Sequence, residues 1–540
     1  MANPEVTGRG ATEPTRPATA PPARWALPLA VLVVGMFMSV LDVTIVNVAI
    51  PAIQKDFGGA LDDVLWIATA YTLTLGVVVP VSSWLGDRFG LRTVYLLSLL
   101  SFAAGSALCG VAWDLDSLIA FRILQAIPGG ILPVVTLTMV YRIVPGAKIG
   151  AAMGMYGLGI VVAPAVGPVL GGYLVEYLDW RLVFYINVPI GLLGTAAASI
   201  VIPKVTRGTA RRFDLAGFAS IAFGLFAILL AASEGQSWGW SSYRILMLLT
   251  AGVLSLALFV VIELEVEFPL LDVRVFKIWP FTLSLLLGSI LFISLLAVAF
   301  YVPVFLQQGQ GKQAFDAGLL ILPQALVMGA MMPLAGRLYD KIGARWLATV
   351  GLALCGYGTY LMCGITPDMT RGDIIFWTCV RAAGLGLSMM PIMTAGLAAV
   401  PPSLTNQASG LNNVARQVTG ALGLAALGAL GITQQAELFA ARAALVRPDP
   451  AIAAHSGALD AHGFAAAYLR YQHLSLEVLA TSYSNLFLLI AILTAAGAVL
   501  GLLLRPGPTA VATERPVATP AARVNPSTNG HRAPVTAVHR

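Results

Sequence analysis

The sequence predicts an all-α integral membrane protein of about fourteen transmembrane helices, built as two six-helix pseudo-repeats with two helices inserted between them. Three observations carry that expectation. Of 540 residues, 58% are hydrophobic and 11% charged, at a mean hydropathy of +0.83; a soluble domain is about 25% charged. Apolar stretches of about twenty residues recur along the chain, each long enough to cross a bilayer as a helix. One charged loop sequence appears twice, at corresponding places in the two halves.

Residues 1–24, rich in Pro, Ala and Thr, read as a disordered cytoplasmic tail. The apolar stretch that follows is too long for a signal-peptide core, so it is expected to be an uncleaved first helix. A first six-helix bundle is expected over 25–203, with spans near 26–50, 64–84, 93–113, 117–141, 149–175 and 182–202. A linker with the two inserted spans, near 214–232 and 245–262, occupies 204–278. The second bundle, 279–505, takes spans near 280–305, 317–336, 346–364, 374–399, 407–432 and 484–504. Residues 506–540 read as a second disordered cytoplasmic tail.

Charge alternation supports the count. With the N-terminus cytoplasmic, inner loops carry Arg88 and Arg92, Arg142 and Lys148, Lys204 to Arg212, Arg274 and Lys277, then Lys341 and Arg345. Outer loops carry Asp62, Asp63, Asp114, Asp116, Glu234, Asp316 and Asp368. One span more or fewer would break this pattern, so both termini are expected inside a cell (plasma) membrane. The connection 433–483 then lies outside and reads mainly as an exposed loop, partly helical.

Other classes fit poorly. The net charge of +6 sits mostly in short loops and tails, where it orients spans rather than engaging nucleic acid. Cys109, Cys355, Cys363 and Cys379 lie in apolar segments without ligand-type spacing to His, so no metal site is expected. No phosphate loop of the Gly-x-x-x-x-Gly-Lys-[Ser/Thr] type occurs. All five His fall in the outer connection or the tail, which leaves a polytopic lipid-modifying enzyme without its catalytic pair. A signalling or scaffold protein leaves the repeated charged loops unexplained.

The repeat carries readable chemistry. Leu85-Gly86-Asp87-Arg88-Phe89-Gly90-Leu91-Arg92 recurs as Leu338-Tyr339-Asp340-Lys341-Ile342-Gly343-Ala344-Arg345. Arg122 with Gly129, Gly130 and Pro133 is echoed by Arg381 with Gly384, Gly386 and Pro391. Parallel six-helix repeats with a substrate site between them are one transporter design. Asp87 is suited to accept from amides at a neighbouring helix start, where the dipole favours an anion. Arg88 and Arg92 are expected to pair with it or with a carboxylate of the other half. Gly90 permits a tight turn. Such a loop would latch one conformation; the alternative is that its charges only set orientation.

Within the spans, Asp42 is the costly residue, by roughly 2.5–3.5 kcal/mol on insertion scales. Residues three and four apart share a helix face, which gives a stripe of Gly35, Ser39, Asp42, Val46 and Ala49, expected to face a cavity. A carboxylate balanced between desolvation and a nearby cation exchanges protons readily; a structural Asp bonded to neighbouring helices is the alternative. Arg122, Arg381 and Arg416 are the intramembrane cations, either braces or substrate contacts. Asn47, Gln125, Asn187 and Asn412 are candidate cavity-lining groups alongside Arg381 and Arg416.

The motif Asp-Arg-x-Gly-x-Arg and its echo resemble the signature loop of the major facilitator superfamily. Leu41 to Pro51 resembles the first-helix motif of that family's fourteen-helix drug:proton antiporters, the EmrB/QacA type. Arg122-Ile123-Leu124-Gln125 is similar to the fourth-helix motif, and Gly154, Pro164, Gly167, Pro168, Gly171 and Gly172 to the antiporter motif of span 5. Trp180-Arg181 followed by Ile186 to Gly191 is typical of the branch. The departures are Ser83 and Ala163 in place of Gly, Leu91 in place of Arg, and Ala126 in place of the Gly after Gln125. The resemblance implies proton coupling through Asp42 and Arg122, with no cofactor beyond the proton gradient. It implies export of lipophilic or amphipathic small molecules through the bilayer, with multidrug resistance as the phenotype. A dedicated exporter of one natural product, siderophore or lipid is the alternative. The branch leaves room for an outer-facing adaptor protein, which no residue here specifies.

Overall fold

The computed structural model describes residues 25–203, 213–267, 269–401, 404–445 and 461–504. Both tails, the basic run Lys204 to Arg212 and the centre of the 433–483 connection lie outside the described residues. Among those described, the chain is helical without strands, and fourteen helices are long and apolar enough to cross a membrane. It is a multi-pass membrane protein.

In chain order the first half holds α1 (Ala26–Phe57), α2 (Leu61–Phe89), α3 (Leu91–Gly110), α4 (Leu115–Ile143), α5 (Ile149–Tyr177) and α6 (Leu182–Val201, interrupted at Ile186). The inserted pair is α7 (Leu215–Glu234) and α8 (Tyr243–Glu265). The second half holds α9 (Trp279–Gln308), α10 (Ala314–Ile342), α11 (Ala344–Leu361), α12 (Arg371–Ala398), α13 (Thr405–Leu445) and α14 (Ala461–Gly501).

Local chemistry sets several helix starts. Asp114 accepts from the Ser117 amide at 2.8 Å while Ser117 Oγ accepts from the Asp114 amide at 3.2 Å, a reciprocal cap for α4. Asp214, Ser242 and Thr370 cap α7, α8 and α12 in the same role. The two copies of the charged loop turn alike: Gly90 ends α2 at φ 87° and Gly343 ends α10 at φ 77°, conformations that disfavour any side chain.

Packing repeats as the sequence does. The second helix of each half meets the fifth helix of the other, α2 against α13 and α10 against α5. The inserted helices pair with each other, and α7 also packs on α2 and α13 beside this seam. Helix α8 leaves Leu246, Met247, Val253, Leu254, Leu258 and Val261 exposed, an apolar face that suits lipid.

Within the connection 433–483, read as an exposed loop that is partly helical, the described residues are helix: α13 runs on to Leu445 and α14 begins at Ala461. Ala, Gln, Glu, Leu, Phe and Arg fill 434–445 and no Gly or Pro interrupts them, so the helix has no local reason to stop. Arg442 joins the two extensions, 3.4 Å from Glu477 and 2.9 Å from Thr481 Oγ1.

Candidate functional site

Asp42 lies at the centre of the first-half bundle and is fully buried. Arg122 Nη1 from α4 donates to its Oδ2 at 2.5 Å and to Gln125 Oε1 at 2.8 Å. Gln125 Nε2 and Asn187 Nδ2 each donate to Asp42 Oδ1 at 3.0 Å, the latter from α6. Both amides also reach Ser106 Oγ on α3, at 3.0 and 3.1 Å, and that hydroxyl donates to the Phe184 carbonyl at 2.9 Å. The Tyr71 ring of α2 covers the guanidinium, with 3.8 Å from Arg122 Cζ to the ring centroid. One carboxylate therefore ties α1, α3, α4 and α6 together. Arg122 Nε and Asn187 Oδ1 stay buried without a hydrogen-bond partner.

The network is closed to the seam between the halves. The stripe on α1 expected to face a cavity faces inward instead: Ser39 Oγ donates to the Gly129 carbonyl of α4 at 2.9 Å, and Tyr95 of α3 fills the space beside Gly35. Helical periodicity identifies a shared face but not which neighbour that face meets. Asn47 is exposed and outside the cluster. Of the candidate cavity-lining groups, Gln125 and Asn187 belong to the carboxylate network.

Helix α5 connects this network to the second half. A Cβ on Gly167 would fall on the Thr44 side chain and 3.3 Å from the Ile45 amide, and one on Gly171 would lie 3.0 Å from the Ile45 carbonyl. These two glycines thus seat α5 on the turn of α1 that follows Asp42. One end nearer the helix start, a Cβ on Gly154 would lie 2.7 Å from the Met332 carbonyl and 2.8 Å from Pro333 Cα of α10. The contact between halves is made at Gly154, whereas Gly167 and Gly171 pack within the first half. Pro164 and Pro168 lie on the exposed side of α5, and Gly172 meets open space.

Both charged loops engage helix starts in the opposite half. Asp340 accepts from the Gly150 amide at 3.2 Å and is bonded by the Ala151 amide, at the beginning of α5. Asp87 accepts from Asn406 Nδ2, at the beginning of α13. Ser83 adds a 2.9 Å bond from its hydroxyl to the Asn406 carbonyl. Arg92 donates to the Ser199 carbonyl of α6 rather than to a carboxylate of the other half. Arg88 and Lys341 are exposed, and Arg345 Cζ lies 5.7 Å from the Trp346 ring. At the opposite end of the bundle, Arg181 and Trp180 both hold Asp56, at 3.0 and 3.1 Å.

Arg381 is buried in the second half, where Nη1 donates to the Ser294 carbonyl at 3.2 Å and Nη2 to Gln324 Oε1 at 3.4 Å. Arg416 and Asn412 lie one turn apart on α13, in the seam. Sequence reading missed Tyr71, Ser106, Asp56 and Asn406, whose residue types are unremarked in a membrane helix or loop until their neighbours are known.

The family model for the Major Facilitator Superfamily matches residues 32–424. The uncharacterized MFS-type transporter YhcA of Bacillus subtilis is 36% identical over 395 residues, covering 73% of this chain and 74% of that protein. The multidrug export protein EmrB of Escherichia coli is 31% identical over 397 residues, covering 73% and 77%. Among solved structures, the proton:xylose symporter XylE aligns over 89% of this chain and 98% of its own, at a TM-score of 0.57 and 11% identity. That last likeness concerns the fold.

Proposed function

The chain belongs to the major facilitator superfamily, in its fourteen-helix branch of drug:proton antiporter type, and on that premise we propose that it is a proton-coupled exporter of lipophilic or amphipathic compounds. The observation that carries the reading is the closed network around Asp42. The Asp42 carboxylate accepts from one guanidinium and two amides, and it is the counter-charge of Arg122. A proton arriving at Asp42 removes the counter-charge of a guanidinium that water does not reach. An uncompensated buried charge costs several kcal/mol, so the network must rearrange, and Arg122 must leave for another acceptor. The helices it ties are α1, α3, α4 and α6, and α1 is the helix on which α5 is seated.

The coupling route then runs through backbone contact. Loosening α1 shifts its turn at Thr44 and Ile45, on which Gly167 and Gly171 of α5 rest. The other end of α5 carries Gly150 and Gly154 against α10. Movement of α5 strains the bonds that Asp340 makes to its first turn, and the Asp87–Asn406 contact is the second catch at the same end. In this structure both catches are made, so the halves are held together at that end. The basic loop residues support a cytoplasmic position for that end, with both termini inside a plasma membrane. YhcA and EmrB support transport and multidrug export by their names; the charge network supports protons as the driver.

Efflux of a fluorescent amphipathic dye from cells with and without the chain, repeated with a protonophore, tests the reading. Asp42→Asn keeps the shape and removes the titratable charge. The expected result is loss of at least about 100-fold in uphill export, with the protein still in the membrane. Protonophore-insensitive export, or normal export by this variant, would sink the proposal.

A further inference from the structure

Among the described residues, the Asp and Arg side chains well inside the membrane spans are Asp42, Arg122, Arg381 and Arg416. Arg416 stands about 16 Å along α13 from its first residue, at 1.5 Å per residue. Asp42 compensates Arg122, and Arg381 donates through both terminal nitrogens to a carbonyl and an amide, with only its Nε unpartnered. Arg416 makes no ion pair among the described residues. Its guanidinium instead lies 4.8 Å from the Phe292 ring centroid of α9, with the Tyr156 phenol of α5 beside it. One residue on, Gln417 Nε2 reaches the Thr72 carbonyl of α2 at 3.5 Å. Groups from both halves therefore surround Arg416, and it is itself only partly buried.

Two polar atoms on this face are unused. Arg416 Nε is buried without a partner, and so is Oδ1 of Asn412, one turn earlier on α13 and 7% exposed. A cation in a low-dielectric seam without a carboxylate draws an anion from outside. An unused amide oxygen draws a donor such as a hydroxyl. The half-buried Phe292 ring offers apolar surface to an aromatic ring.

We infer that the α13 face at Arg416 is a substrate subsite for hydroxylated aromatic anions. The ionised acid group accepts from Arg416, a hydroxyl donates to Asn412 Oδ1, and the ring lies against Phe292. This inference rests on the exporter reading and specifies its substrate class. The site shares no residue with the Asp42 network, so proton and substrate occupy different places and act through helix movement. The electrical balance suits an anion: an inside-negative potential contributes about 2.3 kcal/mol per charge per 100 mV toward its export.

The test uses two xanthene dyes with similar rings and opposite charge, fluorescein and rhodamine 6G. Binding to the full chain in lipid nanodiscs is measured by fluorescence polarisation, without any gradient. The wild type is expected to bind fluorescein at least about tenfold more tightly, the scale of a charge-assisted hydrogen bond. Arg416→Gln should weaken fluorescein binding by about tenfold or more and leave rhodamine 6G unchanged, and Arg416→Lys should restore much of it. Asn412→Ala should weaken fluorescein several-fold, and decides the matter if Arg416→Gln does not fold. Equal or reversed dye preference in the wild type overturns the inference. So does fluorescein affinity unchanged in folded Arg416→Gln, or unchanged in Asn412→Ala where that variant decides. Fluorescein binding without protonophore-sensitive efflux would uphold the charge preference and sink the exporter reading instead.

Discussion

The two halves bury a guanidinium at corresponding places and satisfy it differently. In the first half Arg122 lies 2.5 Å from Asp42, inside a web of amides that also bind the carboxylate. In the second half Arg381 donates to the Ser294 carbonyl and to Gln324, and no carboxylate pairs with it among the described residues. In the proposed mechanism the first arrangement changes when a proton arrives. The second offers nothing for a proton to neutralise. One scaffold recurs in both halves, and a single acid on α1 gives only the first a buried ion pair among the described residues.

Removing each arginine is the strongest way to break that contrast. Arg122→Gln leaves Asp42 buried without its cation, a loss that typically costs 3–5 kcal/mol where a buried pair is broken. Uphill export should fall at least about 100-fold. Arg381→Gln removes a charge that had no ionic partner, so the chain should stay folded and export within about threefold of wild type. Vesicle efflux with matched membrane levels measures both. Equal loss in the two variants would mean that the halves share the proton step.

Gly167→Leu tests the route from the responsive half to the other. The added side chain meets Thr44 and the α1 backbone, and overpacking of this kind costs about 1–3 kcal/mol. Separation of α5 from α1 should abolish dye efflux or let protons leak, while dye binding in nanodiscs changes little. Reconstituted vesicles with an internal pH dye report the leak. Wild-type export with a tight proton barrier would remove α5 from the coupling route.

The two catches differ in what supports them. Asp340→Ala leaves the Gly150 amide at the start of α5 without its acceptor, whereas Asp87→Ala frees Asn406. Each should slow turnover by about tenfold, the value of a charged hydrogen bond, with dye affinity altered less. Asp87 is expected to matter more, since its loop is the closer match to the family motif. Unchanged turnover in both variants would leave these aspartates only an orienting role.

Much of this was legible in the sequence, for physical reasons that also mark the limit. Hydropathy and alternating charge locate fourteen spans because a bilayer demands about twenty apolar residues and basic inner loops. Asp42, Arg122, Gln125 and Asn187 stand out because polar groups are costly in that medium. Ser106 and Tyr71 do not, since a hydroxyl satisfied by a helix carbonyl is ordinary there, and their role depends on neighbours from other helices. The inward turn of the Asp42 stripe was hidden for the same reason. The extent of the α13 helix beyond 432 was harder to read because hydropathy reports membrane depth, whereas Gln434, Glu437 and Arg442 favour helix while lowering hydropathy.

The smallest expected effect lies where the two loop copies diverge. Ser83 stands four residues before Asp87, and Gly336 stands four before Asp340. At Gly336 a Cβ would fall on the Gly150 carbonyl, so α10 and α5 touch backbone to backbone and only glycine fits. At Ser83 the seam is wider, and the hydroxyl fills it by donating to the Asn406 carbonyl at 2.9 Å. The serine therefore replaces close packing with one hydrogen bond on the same residue that Asp87 holds. Ser83→Gly should remove about 0.5–1.5 kcal/mol from the closed end. That corresponds to a roughly two- to twelvefold shift toward the open arrangement, with export still detectable. Spin labels across α2 and α13 would read the shift as a longer distance population. Gly336→Ser is the counterpart and should be far more disruptive, because its added atoms meet backbone rather than a gap. If Ser83→Gly leaves the distance distribution unchanged, Asp87 and Asn406 hold that end alone, and the hydroxyl is a filler without influence on the equilibrium.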